Sequence, residues 1–246
     1  ARWAGGGKVS GQKPVLRVAA AWLVHAYTAL GLPIDFYSVR ALFVLHDLRL
    51  FLALNVLAVF VDATDGTLAR AVDVKRYAPS FDGAQLDNIV DFLTFTFLPA
   101  CAIPASDILP NNVPMQNLCA VLTLFASGYQ FCQKSAKTVE SFVGFPSYWN
   151  IVLWYMAVLR PAEHIVVAVY VILSVLSFVP LHYIYPSKTR KLAFITVPLG
   201  VLWSLCMIAP LLEWGSERSV RLVRYSLVYP VYYTAASIYL NVRGEI

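Results

Sequence analysis

The stretch Asp62-Ala63-Thr64-Asp65-Gly66-Thr67-Leu68-Ala69-Arg70, followed by Gly83-Ala84-Gln85-Leu86-Asp87-Asn88-Ile89-Val90-Asp91, places four carboxylates in a chain that otherwise reads as apolar. A charged side chain at bilayer depth is penalised by roughly 2.5–3.5 kcal/mol on insertion scales, so it ordinarily faces water or a cation. Residues three or four apart share one helix face, so Asp62 and Asp65 point together, as do Asp87 and Asp91. Two such helices side by side make a four-carboxylate nest.

The surrounding sequence fits a bilayer. Of 246 residues, 59% are hydrophobic and only 13% are charged, where soluble domains average about 25% charged. A span needs about 20 apolar residues. Eight candidates occur, at 18–45, 50–64, 83–104, 115–132, 145–160, 164–185, 191–212 and 221–241. The expected fold is therefore all-α: a polytopic integral membrane protein of about eight transmembrane helices, forming a single domain over 1–246. The first candidate contains Gly31, Pro33, Asp35 and Arg40. It reads either as one kinked helix or as a span followed by an interfacial segment, with Asp35 and Arg40 as a local ion pair.

Lys and Arg are enriched in cytoplasmic loops. With both termini inside, 13 of them fall on the cytoplasmic side (2, 8, 13, 17, 70, 75, 76, 134, 137, 188, 190, 191 and 243) and 6 on the other (40, 49, 160, 218, 221 and 224). Residues 1–17 read as a basic cytoplasmic segment rather than a cleavable signal. All four aspartates then meet near the cytoplasmic leaflet. The net charge of +5 is scattered over loops, which suits anionic headgroups, and no nucleic-acid motif is evident. Cys101, Cys119, Cys132 and Cys206 lack metal-type spacing and read as packing residues.

Oxygen-rich sites suit hard divalent cations, which commonly leave positions for substrate phosphates. Gly66, Ala69 and Gly83 keep one wall free of bulk, and Arg70 is placed to meet phosphate oxygens. His25 and Thr28 of the first span lie near enough to the cytoplasmic side to contact a nucleotide or headgroup, although a structural hydrogen bond is the plainer reading of each.

The two quoted segments resemble the CDP-alcohol phosphatidyltransferase signature, D-x-x-D-G-x-x-A-R followed by G-x-x-x-D-x-x-x-D. Twelve residues separate Arg70 from Gly83, more than in most of that family, and should add about one helical turn to the connection. With that spacing, the eight-span layout and the run Phe145-Pro146-Ser147-Tyr148-Trp149-Asn150, the chain is similar to the bacterial phosphatidylcholine synthases within the family.

The resemblance implies transfer of a phosphatidyl group from CDP-diacylglycerol to choline, releasing CMP, with Mn2+ or Mg2+, at the cytoplasmic face of the bacterial inner membrane. Carried over by position, Asp62, Asp65, Asp87 and Asp91 hold metal, and Asp91 is also the general base. Asp62, Gly66, Ala69, Arg70 and Gly83, with Thr28, bind CDP-diacylglycerol. A quaternary ammonium is well served by aromatic faces, which makes Tyr148 and Trp149, with Asn150 as a polar handle, the candidates for choline. The tyrosines of the eighth span (225, 229, 232, 233 and 239) read as a packing stripe, with a homodimer interface as an option. Two alternatives stand: another acceptor alcohol (serine, inositol phosphate or glycerol phosphate), or an ion transporter built on the same carboxylates.

Overall fold

The computed structural model describes residues 12–134, 136, 141–186, 189 and 191–245. Most of the N-terminal basic segment, and the basic residues at 137, 188 and 190, lie outside the described residues.

The first candidate span is a helix pair, α1 (Gln12–Ala29) and α2 (Gly31–Phe43), broken only at Leu30. A Cβ on Gly31 would collide with Val90 Cγ1, so glycine lets this break press against the helix that carries Asp87 and Asp91. The expected Asp35–Arg40 pair is not what holds Asp35. It is buried and accepts from Thr94 Oγ1 at 2.9 and 3.2 Å.

Helix α3 (Leu48–Val72) starts where Asp47 caps Leu50 N at 2.8 Å. It ends at Asp73, whose left-handed backbone (φ 58°) returns its N–H to the carbonyls of Ala69 and Arg70. The sequence stops this span at residue 64. The helix instead runs two turns further, so Asp62, Asp65 and Arg70 all stand on one regular helix. The long connection then folds into the one-turn α4 (Val74–Tyr77) before Asp82 caps Gln85 N of α5 (Gly83–Asp91) at 3.0 Å.

A π-helical turn, Phe92–Phe97, follows Asp91 and leads into α6 (Leu98–Ala102). After α7 (Val113–Cys132) and a short strand β1 (Ser141–Val143), α8 (Trp149–Leu159) runs through the main core with nearly every side chain buried. Helix α9 (Glu163–Leu176) stops well short of the expected 185. Pro180 follows, and His182–Ile184 forms β2, antiparallel to β1, with Phe142 opposite Tyr183. Helix α10 (Ala193–Leu212) is followed by α11 (Glu217–Ser226) and α12 (Val228–Val242), so the eighth candidate is two helices rather than one.

The last helix acts on β2 almost as a third strand. Ser237 Oγ accepts from Ile184 N at 3.0 Å, Tyr233 Oη donates to Ile184 O at 2.8 Å, and the Asn241 amide both accepts from His182 N and donates to His182 O. The backbone groups of this outer strand are thereby satisfied.

Among the described residues, two helical stretches are long and apolar enough to cross a membrane, Val15–Phe43 (29 residues) and Ala193–Leu212 (20 residues). Leu16 and Leu23 on α1, Phe125 on α7, and Phe194, Leu205 and Leu212 on α10 all face outward. Outward apolar surface on this scale suits lipid as the surrounding solvent.

Candidate active site

Carboxylate oxygens of Asp62, Asp87 and Asp91 lie within 4.8 Å of one another. Two unit charges at that spacing repel by about 3–4 kcal/mol at an effective dielectric near 20. Asp91 is buried and Asp62 half-buried, so water is a poor remedy, and the trio has the oxygen-only donor set that Mn2+ or Mg2+ takes. Asp65, one turn beyond Asp62, is buried and accepts from Thr28 Oγ1 at 2.7 Å. Thr28 thus has the structural bond, and its partner is itself one of the four aspartates. Next to it, Tyr27 Oη and Thr64 Oγ1 are 2.7 Å apart, giving α1 a second polar tie to α3.

A cavity of about 610 Å3 opens beside the trio. Its wall contains Thr28, Asp65, Gly66, Ala69, Arg70 and Gly83, and Asp87 belongs both to this wall and to the trio. Every residue named from the sequence for the nucleotide side, apart from Asp62, therefore meets in one cavity. Arg70 Nη2 donates to Thr67 Oγ1 at 3.0 Å, which braces the guanidinium on its own helix.

The sequence reading did not place Lys75 or Phe81 on this wall. Lys75 comes from the one-turn helix in the long connection, and Phe81 from the end of that connection. His25, weighed from the sequence as a nucleotide or headgroup contact, also lines it. Its ring lies 4.5 Å from that of Phe81, and its buried Nε2 has no hydrogen-bond partner among the described residues. The extra length between Arg70 and Gly83 was the available signal, since it had to fold over something.

The three aromatic-run residues separate. Trp149 is fully buried, stacks on Tyr170 at 5.5 Å and donates from Nε1 to Ser127 Oγ at 2.7 Å. Asn150 is buried and donates to Asn55 Oδ1 at 3.1 Å. Successive helical residues point about 100° apart, so these two side chains are taken up by the core at the start of α8. Tyr148, the residue before the helix, lies within electrostatic reach of Asp62 and Asp91.

Fold and site together define a helical membrane protein with a cation-competent carboxylate trio beside a cavity whose wall mixes aspartates with Arg70, Lys75 and small residues. No protein-family model matches the chain. It is 33% identical over 228 residues to the phosphatidylcholine synthase of Borreliella burgdorferi, covering 92% of this chain and 96% of that one. It is 38% identical over 195 residues to that of Legionella pneumophila, covering 76% and 72%, and 34% identical over 186 residues to that of Pseudomonas aeruginosa, covering 75% and 77%. The chain belongs to the phosphatidylcholine synthase family.

Proposed function

We propose that this protein transfers a phosphatidyl group from CDP-diacylglycerol to choline, giving phosphatidylcholine and CMP. The observation that carries the reading is the convergence of Asp62, Asp87 and Asp91, of which Asp87 also lines a cavity whose wall includes Arg70, Gly66 and Gly83, in a chain with phosphatidylcholine synthases as relatives.

Asp62, Asp65, Asp87 and Asp91 would hold Mn2+ or Mg2+. The bound cation would supply positive charge beside the diphosphate, offsetting the negative charge that develops on departing CMP. Arg70 offers planar donors to phosphate oxygens. Gly66, Ala69 and Gly83 let the CDP portion lie close to the backbone, with Thr28 beside it. Asp91 accepts the choline hydroxyl proton as that oxygen bonds to the phosphatidyl phosphorus, and the bond from phosphorus to the CMP oxygen breaks. Tyr148 is the member of the aromatic run placed to serve choline.

The same reading takes 1–246 as one catalytic domain crossing the bacterial inner membrane about eight times, with both termini and the site at the cytoplasmic face. The soluble acceptor and nucleotide would enter there while the acyl chains stay among membrane lipids. A homodimer along the tyrosines of α12 is compatible with this arrangement.

The test is purified protein with CDP-diacylglycerol, Mn2+ and, separately, choline, serine, inositol phosphate and glycerol 3-phosphate, following CMP release and lipid product. Choline-dependent phosphatidylcholine that drops by about 100-fold or more in Asp91→Asn supports the reading. Turnover with a different alcohol alone overturns the acceptor, and ion flux without CMP release overturns the chemistry.

A further inference from the structure

The paired strands β1 and β2 carry aromatic residues that the proposed reaction has not yet used. Phe142 of β1 stacks on Tyr185, the residue after β2, with ring centroids 4.4 Å apart and planes 28° apart. Phe142 also meets Tyr148 edge to face at 6.2 Å, and Phe95 of the π-helical turn lies 6.2 Å from Tyr148 on a tilted plane. Four rings from four separate parts of the chain thus form one aromatic wall. Tyr185 and Asp91 both have Tyr148 within electrostatic reach, as does Asp62. Through Tyr148 the wall comes within electrostatic reach of two of the trio's carboxylates.

We propose that Phe142, Tyr148 and Tyr185, with Phe95, form the subsite for the quaternary ammonium group of the acceptor alcohol. This rests on the choline reading given above. A trimethylammonium group has no N–H to donate, so ordinary hydrogen-bonding residues do not recognise it. Aromatic faces do, and nearby carboxylates add long-range attraction of the same sign. Rings held by stacking and by a clamped strand are also pre-organised, which lowers the ordering needed on binding.

A second opening supports an acceptor route separate from the nucleotide side. A cavity of about 210 Å3 touches Phe142 between Asn88, Gln130, Pro146 and Ser147, and it shares no lining residue with the larger one. Ser147 sits there with φ 56°, and its buried hydroxyl has no partner among the described residues. A left-handed serine with an orphan hydroxyl at a cavity wall fits a position kept for a ligand rather than for packing. Lys134 borders this cavity but is solvent-exposed, so salt screens its repulsion of a cation.

The test compares choline with 3,3-dimethylbutan-1-ol, its neutral isostere, in purified full-length protein and in Phe142→Leu and Tyr185→Leu. Each leucine variant is expected to raise the choline KM by about 3- to 30-fold. The KM for CDP-diacylglycerol and that for the isostere should stay unmoved, while Phe142→Tyr and Tyr185→Phe should keep the wild-type choline KM. An unchanged choline KM in both leucine variants overturns the subsite, as does an equal loss for choline and isostere. Should the leucine variants not fold, wild-type inhibition decides: tetramethylammonium competing with choline but not with CDP-diacylglycerol supports the wall, and no competition overturns it. If the wild type makes no phosphatidylcholine, the functional reading fails by itself. Calorimetric binding of tetramethylammonium, kept in Tyr185→Phe and weakened in Tyr185→Leu, would still uphold the subsite, and no binding would overturn it.

Discussion

Asn55 Nδ2 donates to the backbone carbonyl of Thr94 at 2.9 Å, and this bond explains how the chain tolerates a π-helical turn next to Asp91. Leu98 N reaches back five residues to Leu93 O, which leaves the Thr94 carbonyl without Leu98. The next residue, Pro99, has no N–H to offer. Asn55 fills the vacancy from α3, and Asn150 in turn donates to Asn55 Oδ1 at 3.1 Å. Thr94 Oγ1 meanwhile reaches Asp35. One buried polar layer thus ties α2, α3, α8 and the segment after Asp91 together.

Asn55→Leu should destabilise the protein by about 1–3 kcal/mol, because it strands the Thr94 carbonyl and the Asn150 amide in a water-free interior. The expected signs are a lower melting temperature in detergent and weaker activity. An unaltered melting temperature would mean that the layer adds no stability.

Thr28→Val keeps the shape of the side chain and removes the donor to Asp65. Partners of metal-holding carboxylates are commonly worth about 10–100-fold in metal affinity or activity. The Mn2+ concentration for half-maximal turnover should rise in Thr28→Val and return toward wild type in Thr28→Ser.

Chelation by EDTA should abolish CMP release, and Mn2+ or Mg2+ should restore it. Asp87→Asn removes a member of the trio itself, so its deficit should be at least ~100-fold, larger than that of Thr28→Val. Activity surviving exhaustive chelation would remove the cation from the reaction.

Gly83→Ala would bring a Cβ to 2.6 Å from His25 Cε1. The clash should lower stability by about 1–3 kcal/mol and displace the imidazole into the cavity. Removing the ring in His25→Ala should relieve much of this, so the double variant should be more stable than the two single effects predict. Strict additivity of melting shifts would show that the two positions do not press on one another.

The acidic motif was readable because membrane sequence makes carboxylates conspicuous and because helical spacing alone sets Asp62 with Asp65 and Asp87 with Asp91. Helical class followed from composition in the same way. The π-helical turn was not readable by periodicity, although Pro99 was the visible clue. The pairing of Phe142 with Tyr183 depends on two three-residue strands joined across α8 and α9, and no local pattern announces a ladder that short. Trp149 looked like a ligand face because aromatic rings suit a quaternary ammonium group. Its indole N–H had a partner in Ser127, 22 residues away in sequence, which only the fold could supply.

The clamp on β2 has a consequence for how the protein is made. The segment from Asp62 to Asp91 leaves the ribosome long before Tyr233, Ser237 and Asn241 do, and chains fold largely in the order of synthesis. The acidic pocket is thus available to a nascent chain, whereas the strand beside Tyr185 gains its anchors only when α12 has inserted. Maturation would proceed from the nucleotide side to the acceptor side, and proteolysis of stalled nascent chains around residues 178–186 would show protection arriving last.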